Sequence, residues 1–321
     1  MPALLDVRGL TVELPAPAGW VRPVNDISFA LAPGESLGLV GESGCGKTML
    51  SLALLGLLPP GARRTGKASL TTANSRLNLT TLTERELTAV RGREIAMVFQ
   101  EPMTALNPVL RIGDQVEEAI RAHEPSLSAG EVKRRAREAL ERAQVPEPEL
   151  RAGQYPHQLS GGLRQRAMIA IALAAGPRLL IADEPTTALD VTVQKQILEL
   201  LERLRRELGL ALLFITHDLS VVAQVADRVA VMYAGRIVEE GPAGEVLRRP
   251  RHPYTEGLLR ASPQLHRRKL EPIAGTVPRL DALPPGCAFE PRCPYRGAEC
   301  SAAVPELRSA GPDHRARCIL V

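Results

Sequence analysis

The chain has 321 residues, 45% of them hydrophobic and 24% charged, with a formal net charge of +4. That length allows two or three domains around one large core, and the composition is that of an ordinary globular protein. The charge is too mild to single out nucleic acid as a partner, and no apolar run approaches the roughly 20 residues of a spanning helix. The opening Met-Pro-Ala-Leu-Leu-Asp-Val-Arg has neither a signal nor a transit pattern. The expected place is therefore the cytosol, or the surface of a membrane spanned by other subunits.

Residues 4–40 alternate apolar and polar, with turn signals at 15–19 and 33–34, and predict short strands. The last apolar run, 36–40, leads into Gly41-Glu42-Ser43-Gly44-Cys45-Gly46-Lys47-Thr48 and then a helix-prone stretch at 49–58. Strand, G-x-x-x-x-G-K-S/T and helix, in that order, are a phosphate-binding loop in its required context. A glycine-rich turn with a chance lysine does not explain eight matching residues so placed. Glycines 41, 44 and 46 let backbone N–H groups turn toward phosphate oxygens, and the helix adds its positive N-terminus. Lys47 is expected at the β- and γ-phosphates of ATP, and the Thr48 hydroxyl on Mg2+. Cys45, beside Lys47 at the helix start, is expected to be a reactive thiolate whose alkylation MgATP blocks; the alternative is a serine-like filler shielded from reagent.

Strands are expected at 70–79 and 93–99, the second ending in Phe99-Gln100. From residue 112 the pattern turns helical. Residues 128–143 open with Ser-Ala-Gly-Glu, a capping-box pattern, and repeat Val132, Ala136 and Leu140 on one face. Leu159-Ser-Gly-Gly-Leu-Arg-Gln-Arg166 heads an apolar helix. Its Ser-Gly-Gly is either a second anion site or an ordinary N-cap. Leu179-Leu-Ile-Ala-Asp-Glu184 is an apolar strand ending in two acids. Asp183 suits Mg2+, through water, and Glu184 suits orienting and deprotonating an attacking water. An amphipathic helix at 193–208 and strands at 210–216 and 228–233 follow, with Thr216-His217-Asp218 after the first of these strands. Strands alternating with helices imply an α/β core with a largely parallel sheet and a helical insert near 101–165.

Beyond Arg249 prolines become dense, and residues 262–321 lack clear periodicity, as an appendage would. The basic runs Arg248-Arg249-Pro250-Arg251 and Arg267-Arg268-Lys269 read as solvated faces. The tail holds Cys287, Cys293, Cys300 and Cys318, spaced C-x5-C-x6-C-x17-C. Clustered cysteines in a cytosolic chain argue for metal rather than disulfides. The C-x2-C pairs of a zinc ribbon are absent, and loose spacing around Pro291, Pro294 and Gly297 suits a four-thiolate 4Fe-4S cluster. Zinc, or no metal, remain the alternatives. The tail lies far along the chain from the phosphate loop, so nucleotide binding is expected largely to survive replacement of any one of these cysteines by serine.

Together the motifs resemble those of the ATP-binding-cassette (ABC) ATPases. The resemblance implies an α/β P-loop NTPase fold with a mixed, mainly parallel sheet and an antiparallel β subdomain. The core covers 1–100 and 166–250, a helical subdomain 101–165, and an irregular cysteine-rich extension 251–321. Two cassettes sandwich two ATP molecules. Ser160, Gly161 and Gly162 then meet the nucleotide of the other cassette, with Leu163 where the commonest signature has Gln. Gln100 senses Mg2+ and water, His217 contacts the γ-phosphate, and Ala188-Leu189-Asp190 joins the two sites. Trp20 is the candidate for stacking on adenine; the alternative is a loop tryptophan packed on the sheet edge.

Phe-Gln-Glu-Pro-Met-Thr-Ala-Leu-Asn-Pro at 99–108, Leu-Ser-Gly-Gly-Leu-Arg-Gln-Arg-Ala-Met, His-Pro-Tyr-Thr at 252–255 and Pro-Pro-Gly-Cys-Ala-Phe-Glu-Pro-Arg-Cys-Pro at 284–294 narrow the resemblance. They are similar to the ATPase subunits of oligopeptide, dipeptide and nickel importers, some of which carry a 4Fe-4S cluster in this tail. The partners implied are a second cassette, identical or paralogous, two permease subunits docking along 99–112 and, indirectly, an extracytoplasmic solute-binding protein. The place implied is the cytoplasmic face of the cell membrane, with no nucleic acid bound. Other readings of an ABC core are an ATPase acting on DNA or ribosomes, and an iron–sulfur regulatory or assembly protein.

Overall fold

The computed structural model describes residues 3–17, 19–187, 189–262 and 271–321. Ala188 and the basic run Arg267-Arg268-Lys269 lie outside the described residues. The chain divides into two compact units, residues 1–81 with 214–321, and residues 82–213.

In chain order, the first stretch gives β1 (Leu5–Ala16), β2 (Gly19–Leu31), β3 (Ser36–Val40), α1 (Lys47–Leu55), β4 (Arg63–Thr71) and β5 (Arg76–Asn78). The second unit gives α2 (Glu84–Val90), β6 (Ile95–Val98), α3 (Pro102–Ala105), α4 (Ile112–Arg121), α5 (Ala129–Arg142), α6 (Pro148–Ala152), α7 (Gly161–Leu173), β7 (Leu179–Asp183) and α8 (Val191–Leu208). β8 (Ala211–Thr216) carries the chain across the division. Then come α9 (Leu219–Val225), β9 (Arg228–Tyr233), β10 (Arg236–Pro242), α10 (Ala243–Arg248), α11 (Pro253–Ala261), α12 (Glu299–Ala302), β11 (Arg308–Gly311) and β12 (His314–Ala316).

In the first unit β1 and β2 form a long antiparallel hairpin, from Leu5 opposite Leu31 to Ala16 opposite Gly19. With β4 and β5 they make a sheet ordered β2-β1-β4-β5. Leu5, Val7, Leu10 and Val12 of β1 are buried, the apolar face that alternation provides. The expected strand over 70–79 proves to be two. Thr72 hydrogen-bonds through backbone and side chain to Ser75, turning the chain between β4 and β5. Polar Thr72-Ala73-Asn74-Ser75 is a turn for that reason.

β3 is buried along its whole length and runs parallel to β9, Leu37 opposite Arg228 through Val40 opposite Val231. A continuous apolar run fits a strand covered on both faces. α9 lies so close that a Cβ on Gly38 would sit 2.6 Å from Val222 Cγ1.

The tail is not an appendage. β12 pairs antiparallel with β10, Glu239 opposite Ala316, and β11 pairs with β12. Buried Glu239 accepts from Arg251 N at 2.7 Å and His252 N at 2.9 Å, and its carboxylate meets His314 Nε2 at 2.7 Å. Strands of 4 and 3 residues are too short to show a period, which is why the sequence pattern hid them.

In the second unit β6 and β7 are parallel, Ile95 opposite Leu179 through Val98 opposite Ala182. α5 buries Val132, Ala136 and Leu140 as its period predicts. Ser128 caps it by accepting from Glu131 N, while the Glu131 carboxylate turns to Arg134 and Arg135 instead of closing the box. A full capping box, Thr83 with Glu86, starts α2.

Candidate nucleotide site

The phosphate loop follows β3 and opens α1. Gly44 and Gly46 have φ of 80 and 108, a backbone that side chains resist. A Cβ on Gly46 would lie 1.8 Å from Pro23 O, and one on Gly41 2.2 Å from Met232 O. Both positions therefore need glycine. Gly46 itself caps α1 and, being glycine, offers no side-chain cap to its leading N–H groups. Such a helix start is a ready anion site. Ser43, Gly44 and Thr48 are exposed. Lys47 is buried, and its Nζ donates to Gly41 O at 2.7 Å and Glu42 O at 3.1 Å.

Cys45 corrects the sequence reading. Its side chain is only 1% exposed. Burial pushes its thiol up, outweighing the opposing pull of Lys47, whose Nζ lies 3.8 Å away. The residue is a shielded filler, not a poised thiolate.

A second wall backs the loop, 212 and 250 residues further along the chain. Glu42 N donates to Tyr254 Oη at 2.8 Å. Arg292 donates to both Glu42 carboxylate oxygens, at 2.7 and 3.1 Å, and to Tyr233 Oη at 3.3 Å. Tyr233, Tyr254 and Phe289 pack together with ring centroids 4.5–5.4 Å apart. The tail, distant in sequence, thus packs directly against the phosphate loop. Arg292 and Tyr254 both lay in motifs noted in the sequence, but nothing local pointed to their partner.

In the second unit Asp183 ends β7, 1% exposed. Glu184 follows with φ 46, a strained turn for a non-glycine residue. Gln100 Nε2 and Thr187 Oγ1 both donate to Glu184 Oε2, at 3.3 and 2.9 Å. The structure thus brings Gln100 to the acid, and adds Thr187, which the sequence reading missed. Ser160 caps α7 by accepting from Leu163 N at 3.4 Å, and Asp190 caps α8 by accepting from Val193 N at 3.0 Å. A Cβ on Gly162 would lie 2.7 Å from Val193 Cγ1, and one on Gly161 3.6 Å from Leu189. The signature and the Leu189-Asp190 turn therefore meet.

Back in the first unit, His217 is exposed between β8 and α9, whose cap is Asp218. Trp20 lies in β2, 43% exposed, with the Arg63 guanidinium 3.9 Å from its ring centroid.

All four tail cysteines are free thiols and line one cavity, closed by Phe289 and Ile319. Cys287 N donates to Cys300 O at 2.7 Å, and a Cβ on Gly286 would sit 2.0 Å from that oxygen. Burial pushes the thiols of Cys287, Cys293 and Cys318 up. No three His, Cys, Asp or Glu among the described residues are gathered to hold a metal ion.

Residues 24–187 match the family model for ABC transporter, and 238–300 that for oligopeptide/dipeptide transporter, C-terminal region. A protein of Brucella melitensis, a peptide import ATP-binding protein by name, is 50% identical over 330 residues, 98% of this chain and 96% of that one. One of the same name from Brucella abortus is 48% identical, over 96% and 92%. A dimeric post-hydrolysis ATP-binding cassette with ADP and Pi is 29% identical with a TM-score of 0.65, covering 74% of this chain and 98% of that one. A part of an ABC transporter complex from Clostridium perfringens is 27% identical, TM-score 0.64, over 78% and 92%.

Proposed function

Because the chain belongs to the ABC transporter family of ATPases, we propose that it hydrolyses ATP to drive peptide uptake through a membrane permease. The observation that carries this is the joining of a phosphate loop to a tail of the oligopeptide/dipeptide transporter type in one chain. The peptide import names of its relatives support it. No described helix is long and apolar enough to cross a membrane; in this reading two other subunits form the permease.

In this reading residues 41–48 bind the ATP phosphates, Lys47 reaches the γ-phosphate, and Thr48, Gln100 and Asp183 serve Mg2+. Glu184 takes the proton of the attacking water, oriented by Thr187 and Gln100. His217 contacts the γ-phosphate and Trp20 stacks on adenine. Ser160, Gly161, Gly162 and Asp190 act on the nucleotide of a second cassette. The core spans 1–100 and 166–250, the helical subdomain 101–165, and the extension 251–321. A solute-binding protein delivers the peptide, and the subunit works on the cytoplasmic face.

The tail cysteines fit a 4Fe-4S cluster. Four thiols line one apolar cavity, and their loose spacing along the chain, without C-x2-C pairs, favours a cluster over zinc. Bound there, a cluster would supply a structural cross-link, and Cys287, Cys293, Cys300 and Cys318 would hold it as thiolates. Purified without oxygen, the protein is expected to be brown, with about four irons per chain. Stoichiometric zinc, or a colourless metal-free tail, defeats that assignment.

The experiment for function is reconstitution with a pair of peptide-importer permease subunits and their binding protein. ATP turnover should rise with peptide-loaded binding protein and vanish in Lys47→Ala. Purification with ribosomes or DNA, and no permease, would overturn the importer reading.

A further inference from the structure

We propose that Arg292 is a positioning residue of the phosphate loop, holding and neutralising Glu42 so that the cysteine-bearing tail completes the nucleotide site. This rests on the reading of residues 41–48 as the ATP phosphate loop.

The fork of Arg292 is fixed on every side. Its side chain is 4% exposed, that of Glu42 29%. Two parallel bonds of 2.7 and 3.1 Å join them, the bidentate geometry that makes arginine specific for carboxylates. Nε donates to Ala274 O at 3.1 Å and Nη1 also to Tyr233 Oη at 3.3 Å. The guanidinium stands 5.8 Å from the Phe289 centroid and 5.9 Å from that of Tyr233. Burial alone would weaken the cation, but the pairing with Glu42 and Tyr233 more than reverses this.

Glu42 is equally constrained. Its N–H is held by Tyr254, and its carbonyl accepts from Lys47 Nζ at 3.1 Å and Cys45 N at 3.3 Å. A shift of this one residue therefore moves the lysine that meets the phosphates. Its charge matters too. A carboxylate in the phosphate loop repels a polyphosphate and competes for Lys47 unless a cation answers it. Arg292 answers it, and the next residue is Cys293, which ties the fork to the cysteine cavity. The blander view is an ion pair that only fastens tail to core. The two views differ in sign. A fastener suffers equally from loss of either partner, whereas a charge compensator does not.

The test is MgATP affinity of the full chain, with Lys47→Ala as the control that loses binding. Arg292→Ala should raise the Kd about tenfold, the scale of one uncompensated charge beside a polyphosphate. Glu42→Gln should shift it the other way, about two- to fivefold lower. The double variant should return to within about threefold of wild type, since neither charge remains. In the assembled transporter Arg292→Ala should raise the KM for ATP far more than it lowers kcat. Arg292→Lys, which keeps charge but loses the fork, should fall between. An unchanged Kd in Arg292→Ala overturns the proposal, and so does an equal rise in both single variants with no recovery in the double. If Arg292→Ala does not fold, Glu42→Gln decides alone, because a raised Kd there overturns the idea. A wild-type chain that binds no MgATP sinks the ATP reading itself, whereas normal wild-type binding with an unaffected Arg292→Ala sinks only this inference.

Discussion

Tyr254→Phe removes a single oxygen from the wall behind the phosphate loop. The ring is fully buried, with its centroid 4.5 Å from that of Tyr233 and 5.4 Å from that of Phe289. Phenylalanine keeps that packing, so the loss is confined to the 2.8 Å bond from Glu42 N. Burial pushes the tyrosine hydroxyl well above its ordinary range, so it stays neutral throughout a normal assay. A buried N–H left without a partner costs about 1–3 kcal/mol. Glu42 is only half-buried, and water can answer part of the need, which favours about 1–2 kcal/mol. If the loss falls on the loop conformation that holds phosphate, MgATP affinity drops about 5- to 30-fold. The assay is a MgATP titration run beside a thermal melt. Affinity should fall while the melting temperature drops by only a few degrees. A Kd within twofold of wild type refutes the reasoning, and a melting shift without an affinity change assigns the bond to the fold alone.

Four further outcomes are expected. Glu184→Gln, which keeps an acceptor for Thr187 and Gln100, should bind ATP, trap a closed dimer and lower single-turnover rates about 10²–10⁴-fold; near-normal turnover removes Glu184 as base. Gly46→Ala forces a Cβ to 1.8 Å from Pro23 O at φ 108 and should abolish MgATP binding, read by equilibrium titration. Cys45 should resist iodoacetamide in the native chain with or without MgATP, because it is 1% exposed; ATP-sensitive labelling found by mass spectrometry would restore a reactive thiolate. Glu239→Ala strips the acceptor from Arg251 N, His252 N and His314, so limited proteolysis should cut the tail before the core.

The phosphate loop, the acidic strand end, the signature and the strand before His217 were legible because each is local. Strand, glycines and lysine sit within thirteen residues, 36–48, and the steric need for glycine at 41 and 46 is visible in the contacts with Met232 and Pro23. Helix α5 was legible from the period of Val132, Ala136 and Leu140. What stayed hidden depends on residues distant in the chain. The charge on Lys47 suggested an activated Cys45, but burial decides that thiol, and burial comes from packing that the local sequence does not record. Arg292 stood in a noted motif with no role assigned, because its partner Glu42 is 250 residues away. The pairing of β12 with β10 was hidden because three residues carry no period.

The distance from Glu42 to Arg292 also sets a clock. A ribosome adds about 5–20 residues per second. Glu42 and the loop around it therefore leave the ribosome some 10–50 s before the 250th residue after it is in place. For most of that interval the loop has its glycines and its lysine but not the tyrosine, and throughout it lacks the arginine. A nascent cassette in this sense lacks the full backing of its phosphate loop until its tail has folded back. A chain truncated before Arg292 is therefore expected to bind MgATP more weakly than the full chain.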